Sequence, residues 1–195
     1  EGTNEINRMV ATGEILKKAA KNELPIFAQA KALLGELMGF PGLDEDSDDS
    51  FLADEKKLVT QGKKTVLLTL GTVAQQLGDK LKDPWGNEEV LGFLADMIMD
   101  VYGMESSVMR SIKLMDRDEK DKAALAGKMT RLFCNEALHR LEIRARDVLS
   151  AVSEGDVLTT TLSGLRRTVK HVPVDTVSLR REIADAVIEK EAWPI

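Results

Sequence analysis

Aromatic residues, cysteine, net positive charge and long apolar runs are all scarce or missing in this sequence, and each shortage removes a class of protein. Phe, Trp and Tyr make up only 4% of the 195 residues. Strands draw on aromatic and β-branched side chains, whereas Ala, Leu, Met, Glu and Lys, all plentiful here, favour helices packed through aliphatic contacts. The lone Cys134 excludes an internal disulfide; it fits a reducing compartment, and the chain reads as intracellular. No stretch approaches the roughly 18 consecutive apolar residues that span a bilayer. The net charge is -6, and Arg166, Arg167 and Lys170 form only a small basic cluster. Without a basic stripe there is nothing to neutralise phosphates, so a nucleic-acid partner is not expected.

What is present is a globular composition, 43% apolar and 31% charged, in a length that suits one domain or one domain with an appendage. Residues 3–20 read as a helix capped by Thr3 or Asn4, with Ile6, Met9 or Val10, Gly13 and Leu16 tracing one face. Lys21 to Pro25 breaks the pattern. An amphipathic piece follows with Ile26, Phe27, Ala30, Leu33, Leu34, Leu37 and Met38 apolar, and Gly39-Phe40-Pro41-Gly42 stops it. Asp44-Glu45-Asp46-Ser47-Asp48-Asp49 is too polar to pack and reads as a solvated loop.

Three long helices are predicted next. The first covers about 51–82, with Val66, Leu70, Val73, Leu77 and Leu81 at steps of three and four. Asp83-Pro84 marks a turn, and Asn87 is placed to cap the second helix, about 88–116. There Val90, Leu94, Met97, Val101, Met104, Val108 and Met115 keep an a/d rhythm, interrupted by Ser111 and widened by Leu91, Ile98 and Ile112. The third, about 119–153, presents Ala126, Met129, Phe133, Ala137, Leu141, Val148 and Val152. Asp156 can cap a fifth piece with Leu158, Leu162, Leu165 and Val169, and Asp175 opens a last helix with Leu179, Ile183 and Val187. Short connections make long helices antiparallel neighbours, so the expected fold is an all-α, antiparallel helical bundle.

Candidate chemistry begins with Glu136-Ala137-Leu138-His139. Glu-x-x-His puts two ligands on one helical face, as in di-iron bundles. Such a site needs a second copy and two further glutamates, and His171 has no Glu three residues before it; no metal site is expected. Cys134 with His139 lacks an Asn or Asp to complete a thiol site, and a buried structural thiol is the expectation.

The opening residues carry more. Glu1-Gly2-Thr3-Asn4-Glu5-Ile6-Asn7-Arg8, running into a helix, resembles the motif of the acyl-CoA dehydrogenases. The segment Trp85-Gly86-Asn87-Glu88-Glu89-Val90-Leu91-Gly92-Phe93-Leu94-Ala95-Asp96, with Asp100-Val101-Tyr102-Gly103-Met104, is similar to the extra C-terminal helical domain of the very-long-chain branch. This resemblance implies a C-terminal piece of a flavoenzyme that begins at its catalytic base. Residues 1–20 would close the dehydrogenase helical domain, 21–50 form a short amphipathic helix and acidic loop, and 51–195 make up the extra bundle.

By the same resemblance Glu1 is the catalytic base, removing the α-proton of a fatty acyl-CoA while the β-hydrogen leaves as hydride to flavin adenine dinucleotide (FAD). A carboxylate suits the task when desolvation raises its pKa. Gly2 lies near the thioester, where a missing Cβ permits close backbone approach, and Thr3, Asn4 and Glu5 line the FAD site. The parent would pass electrons to an electron-transfer flavoprotein and form a homodimer, in the cytoplasm of a bacterium or the mitochondrial matrix of a eukaryote. The isolated piece is expected to hold no FAD and to be inactive. The alternative is a non-catalytic helical module for self-association or docking. The branch is also linked with a membrane surface, for which segment 22–40 is the candidate. Interfacial helices usually carry Lys and Arg, whereas this one has only Lys31 ahead of the acidic run, so packing within the bundle is the expectation.

Overall fold

The computed structural model describes residues 2–39, 49–82 and 86–191, apart from the side chains of Met38, Asp79 and Lys82. Among them are seven α-helices and no strand: α1 (Asn4–Ala20), α2 (Ile26–Met38), α3 (Ala53–Leu77), α4 (Glu88–Asp116), α5 (Lys120–Val152), α6 (Gly155–Thr168) and α7 (Thr176–Lys190). The all-α expectation holds. The candidate turn at Asp83-Pro84 and most of the acidic run lie outside the described residues.

Side-chain pairings give the helix directions. Asp100 of α4 meets Arg140 of α5, and Ser111 meets Thr130, so α4 and α5 run antiparallel. Arg8 and Thr12 of α1 reach Asp96 and Leu91 of α4, again antiparallel. Glu36 of α2 pairs with Lys64 of α3 while Ala30 faces Gly71, and Leu68 of α3 faces Gly164 of α6 while Thr65 bonds Thr168. By contrast Glu55 pairs with Arg131 and Gly62 abuts Leu141, so α3 and α5 run parallel with α4 between them in sequence.

One continuous core joins Leu16, Leu33, Val73, Leu94, Met97, Met104, Leu138, Leu141 and Leu165 from α1 to α6. Its seams are tight because small residues stand where helices cross. A Cβ on Gly62 would lie 3.1 Å from Val101 and 3.2 Å from Leu141. Threonines along α3 bury cheaply by donating to carbonyls one turn back, as Thr69 does to Thr65 and Thr72 to Leu68. Leu33 is buried and Leu37 packs against the core, so the apolar side of α2 serves the bundle, as expected.

Several details depart from the sequence-based expectations. The helix expected to run to 82 ends at Leu77, where Gly78 adopts φ +48° and a 3-10 turn, Gly78–Lys82, follows. A left-handed residue cannot continue an α-helix, and glycine takes it without strain. Asp156 does not cap α6: Glu154 holds that position and Asp156 sits in the first turn. Asn87 occupies the cap of α4 but its side chain makes no capping bond; Glu88 instead accepts from the Gly86 amide at 2.7 Å. Leu114 rather than Met115 is buried at the end of α4, because the start of α5 folds over it through Ala123 and Ala126. On α5 the buried stripe includes Thr130, Cys134, Asn135 and Leu138, while Met129, Phe133 and Val152 are only half-buried. This helix packs against α3, α4, α6 and α7 together, so more of its circumference is covered than one amphipathic stripe suggests.

Candidate functional site

The head of α1 is built by its own residues. Thr3 is extended (φ -66°, ψ 165°), and its hydroxyl accepts from the Ile6 amide at 3.4 Å, one of the free donors of a helix start. Asn7 reaches back, its Nδ2 donating to the Gly2 carbonyl at 3.2 Å. A Cβ on Gly2 would fall 2.9 Å from Asn7 Oδ1, so the missing side chain leaves room for that return contact. Gly2, Thr3, Asn4 and Glu5 are all exposed. The Glu5 carboxyl lies below its ordinary value, held there by its own backbone amide, then the Thr3 hydroxyl and Arg8. Asn4's side chain makes no hydrogen bond with any described residue. Glu1, the expected base, lies outside the described residues.

Below this head, α1 is clamped to α4 by polar contacts about a turn apart. Arg8 Nε meets Asp96 Oδ1 at 2.8 Å, and the buried Thr12 hydroxyl donates to the Leu91 carbonyl at 2.9 Å. Asp96 is itself held by Arg144 Nη2 at 3.4 Å. Arg144 Nη1 donates to Asp100 at 2.6 Å, and Arg140 donates to Asp100 through both Nη2 (2.7 Å) and Nε. Asp100's hydrogen bonds push the Arg140 guanidinium's pKa above its ordinary value despite partial burial. The aspartates are the sheltered members, 14% exposed at Asp96 and 12% at Asp100. Sequence reasoning quoted Arg8, Asp96 and Asp100 and gave them no role, and it missed Arg140 and Arg144. The available signal was spacing: Asp96 and Asp100 lie four apart on α4, as do Arg140 and Arg144 on α5, so each pair shares a face.

The other side of α1 borders an apolar groove of about 1270 Å³ between α1, α2 and α3, lined by Ile6, Val10, Gly13, Phe27, Leu34 and Ala74 among others. This corrects the expected face of α1. Ile6 and Val10 are 47% and 59% exposed, and the residues that reach the core are Thr12, Leu16 and Ala19. The stripe is real, but no described residue covers it. Lys17, Lys21 and Lys31 stand at the rim. Such a trough can bury an apolar segment.

The remaining candidates have structural partners. Glu136 accepts from Arg180 of α7, and the His139 ring lies against His171, centroids 5.3 Å apart. Cys134 is fully buried, and burial, reinforced by Glu55, pushes its thiol up to about 12. Asn135 Oδ1 ties down the segment before α7 by accepting from the Val174 amide, and it lies 3.3 Å from His171 Nε2. Among the described residues no group of His, Cys, Asp and Glu is arranged to hold a metal ion, and no helix is long and apolar enough to cross a membrane.

Comparison with known proteins bears on the whole chain. A family described as "Acyl-CoA dehydrogenase, C-terminal domain" matches residues 61–167. A protein of Bacillus subtilis (strain 168) named "Probable acyl-CoA dehydrogenase" is 37% identical over 195 residues, which is 100% of this chain and 32% of the relative. The crystal structure of an acyl-CoA dehydrogenase complexed with FAD, from Bacillus anthracis, superposes with a TM-score of 0.89 at 36% identity, covering 100% of this chain and 32% of that one. The chain thus spans about a third of the length of these relatives.

Proposed function

The chain belongs to the acyl-CoA dehydrogenase C-terminal domain family, and from that premise we propose that it is the C-terminal part of an FAD-dependent enzyme of fatty-acid β-oxidation. Its reaction converts a fatty acyl-CoA to the trans-2-enoyl thioester. We assign it to the very-long-chain type, with residues 1–20 closing the dehydrogenase helical domain, 21–50 a connecting helix and loop, and 51–195 the additional bundle. Supporting the dehydrogenase reading is the alignment of the entire chain, opening octapeptide included, with a relative named "Probable acyl-CoA dehydrogenase"; the branch rests on the likeness of Trp85–Asp96 and Asp100–Met104.

The head of α1 fits one edge of a dinucleotide site. It offers an exposed helix start, whose free amides favour anionic groups, and the exposed side chain of Asn4, which bonds no described residue, beside Thr3 and Glu5. It is an edge and not a cradle, since the groove begins only at Ile6. When bound, FAD supplies the hydride acceptor. Glu1 takes the proton from the α-carbon of the thioester, a task that suits a carboxylate whose pKa desolvation raises. Gly2 lets the backbone approach the thioester, and Thr3, Asn4 and Glu5 line the dinucleotide. The partners are a fatty acyl-CoA, an electron-transfer flavoprotein and a second copy of the enzyme.

The test is Glu1→Gln in the full-length enzyme. Turnover of acyl-CoA should vanish while FAD content and thioester binding persist; retained turnover would refute the assignment of the base.

A further inference from the structure

We propose that Arg8 and Asp96 form a positioning pair, through which α4 and α5 hold the catalytic end of α1 at the height the reaction needs. This rests on the dehydrogenase reading above and concerns residues for which that reading has no task.

The head of α1 has no anchor of its own among the described residues. Its hydrogen bonds are local, Ile6 to Thr3 and Asn7 to Gly2, and its side chains are exposed. One flank of the helix borders the open groove, where Ile6 and Val10 meet no described neighbour that covers them. Along its length α1 is held by the core packing of Leu16 and Ala19 and by two polar contacts to α4, Arg8 with Asp96 and Thr12 with the Leu91 carbonyl. Arg8 is the contact nearer the head. At about 1.5 Å per residue, it lies within roughly 8 Å of the Thr3 cap along the axis, and a rigid helix transmits an axial slip undiminished.

A surface ion pair would be a poor ruler, because long exposed side chains sample many geometries. This pair differs. Asp96 is sheltered, and its second oxygen faces Arg144. Arg144 is fixed in turn by Asp100, which is gripped through two nitrogens of Arg140. The chain Arg8–Asp96–Arg144–Asp100–Arg140 crosses α1, α4 and α5 with alternating sign, so every member has an opposite charge on each side or ends the row. The carboxylate that receives Arg8 is therefore set by the bundle rather than by α1. Arg8 and Asp96 touch neither thioester nor flavin in this assignment; they act through the placement of Glu1 and Gly2.

The experiment uses the full-length FAD-loaded enzyme with Arg8→Gln, Asp96→Asn and the double variant. Arg8→Gln leaves Asp96 paired with Arg144, so it reads out even if Asp96→Asn fails to fold. A displacement of the order of 1 Å from a remote site lowers rates by up to about a hundredfold. Each single variant should therefore lose about ten- to a hundredfold in kcat, with KM and FAD content unchanged. The isotope effect with substrate deuterated at the α-carbon should rise as proton removal becomes limiting. The double variant should be no worse than the worse single one, since both break the same contact. Wild-type kcat in Arg8→Gln would overturn the proposal. So would loss of FAD or a raised KM in place of lowered kcat, or additive losses in the double variant. Glu1→Gln in the same preparation keeps two failures apart: if it is active the dehydrogenase reading falls, and if it is inactive while Arg8→Gln is normal only the positioning pair falls.

Discussion

Gly71→Ala is the sharpest test of how these helices are packed. In an unobstructed helix interior, replacing glycine by alanine stabilises by about 0.8–1 kcal/mol. At Gly71 the added Cβ would stand 2.6 Å from the Ala30 Cβ of α2, whereas carbon contacts relax at about 3.5–4.0 Å. Helix α2 would have to withdraw by about 1 Å, carrying Leu33 partly out of the core, and overpacking of this kind costs about 1–3 kcal/mol. Gly13 on α1 is the control, because a Cβ there meets nothing within 4 Å. In urea unfolding of the 195-residue chain, Gly13→Ala should raise stability by up to about 1 kcal/mol. Gly71→Ala should fall below it by about 1–3 kcal/mol. Adding Ala30→Gly to Gly71→Ala should recover most of the deficit, a coupling of about 1–3 kcal/mol between residues in contact. Equal stabilisation by the two alanines, or an additive cycle, would show that α2 does not pack where the structure puts it.

Leu141, fully buried where α5 meets α3, should cost about 2–5 kcal/mol when replaced by alanine; a shift in urea midpoint equivalent to less than about 1 kcal/mol would mean the site collapses around the loss. Cys134, with its thiol pushed up to about 12 by burial, should resist iodoacetamide in the folded chain at mildly alkaline pH and be labelled only as the chain unfolds, since the thiolate is the nucleophile. Asp175 caps α7 by accepting from Val177 and Ser178, and the Ser178 amide first, then its hydroxyl, hold that carboxyl below its ordinary value. Its contribution is therefore complete above the unfolded pKa and is lost as pH falls through the lower folded one. The Val177 and Ser178 amide resonances should titrate on the acid side of a free aspartate, and Asp175→Asn should flatten that titration.

Much of this architecture is written in residue order. Thr3, one of the two caps expected for α1, and Asp175, expected to open α7, both cap their helices, because an N-cap is a local bond between residues two or three apart. The buried face of α4 follows the apolar spacing closely, Ser111 included, whereas α3 is buried at Thr65, Leu68, Thr69 and Thr72 as well as at the predicted Val66, Leu70 and Val73, because α2, α4, α5 and α6 all pack against it. Local rules failed where the environment was not local. Nothing in the spacing of α5 announces that four helices converge on it, so Cys134, Asn135 and Leu138 lie deeper than Phe133. Gly78 sits within an unbroken apolar rhythm from Val66 to Leu81, and only its backbone angle reveals that the helix stops. On the site, the octapeptide was legible as a motif, while the partner of its arginine was not.

Composition and periodicity alone determined that this chain is helical and where most of its helices begin and end; the family resemblance came separately, from the motif of the opening octapeptide. Those properties depend on bonds within a turn or two of chain. Tertiary structure decided which apolar residue becomes core and which stays open: Leu16 and Ile6 look alike in the sequence, but the first is 8% exposed within the core and the second is 47% exposed with no described cover. It also decided that Arg8 meets Asp96 and that Asp96 answers to Arg144. A side chain's spacing tells which way it points, and only the neighbouring helix determines what it meets there.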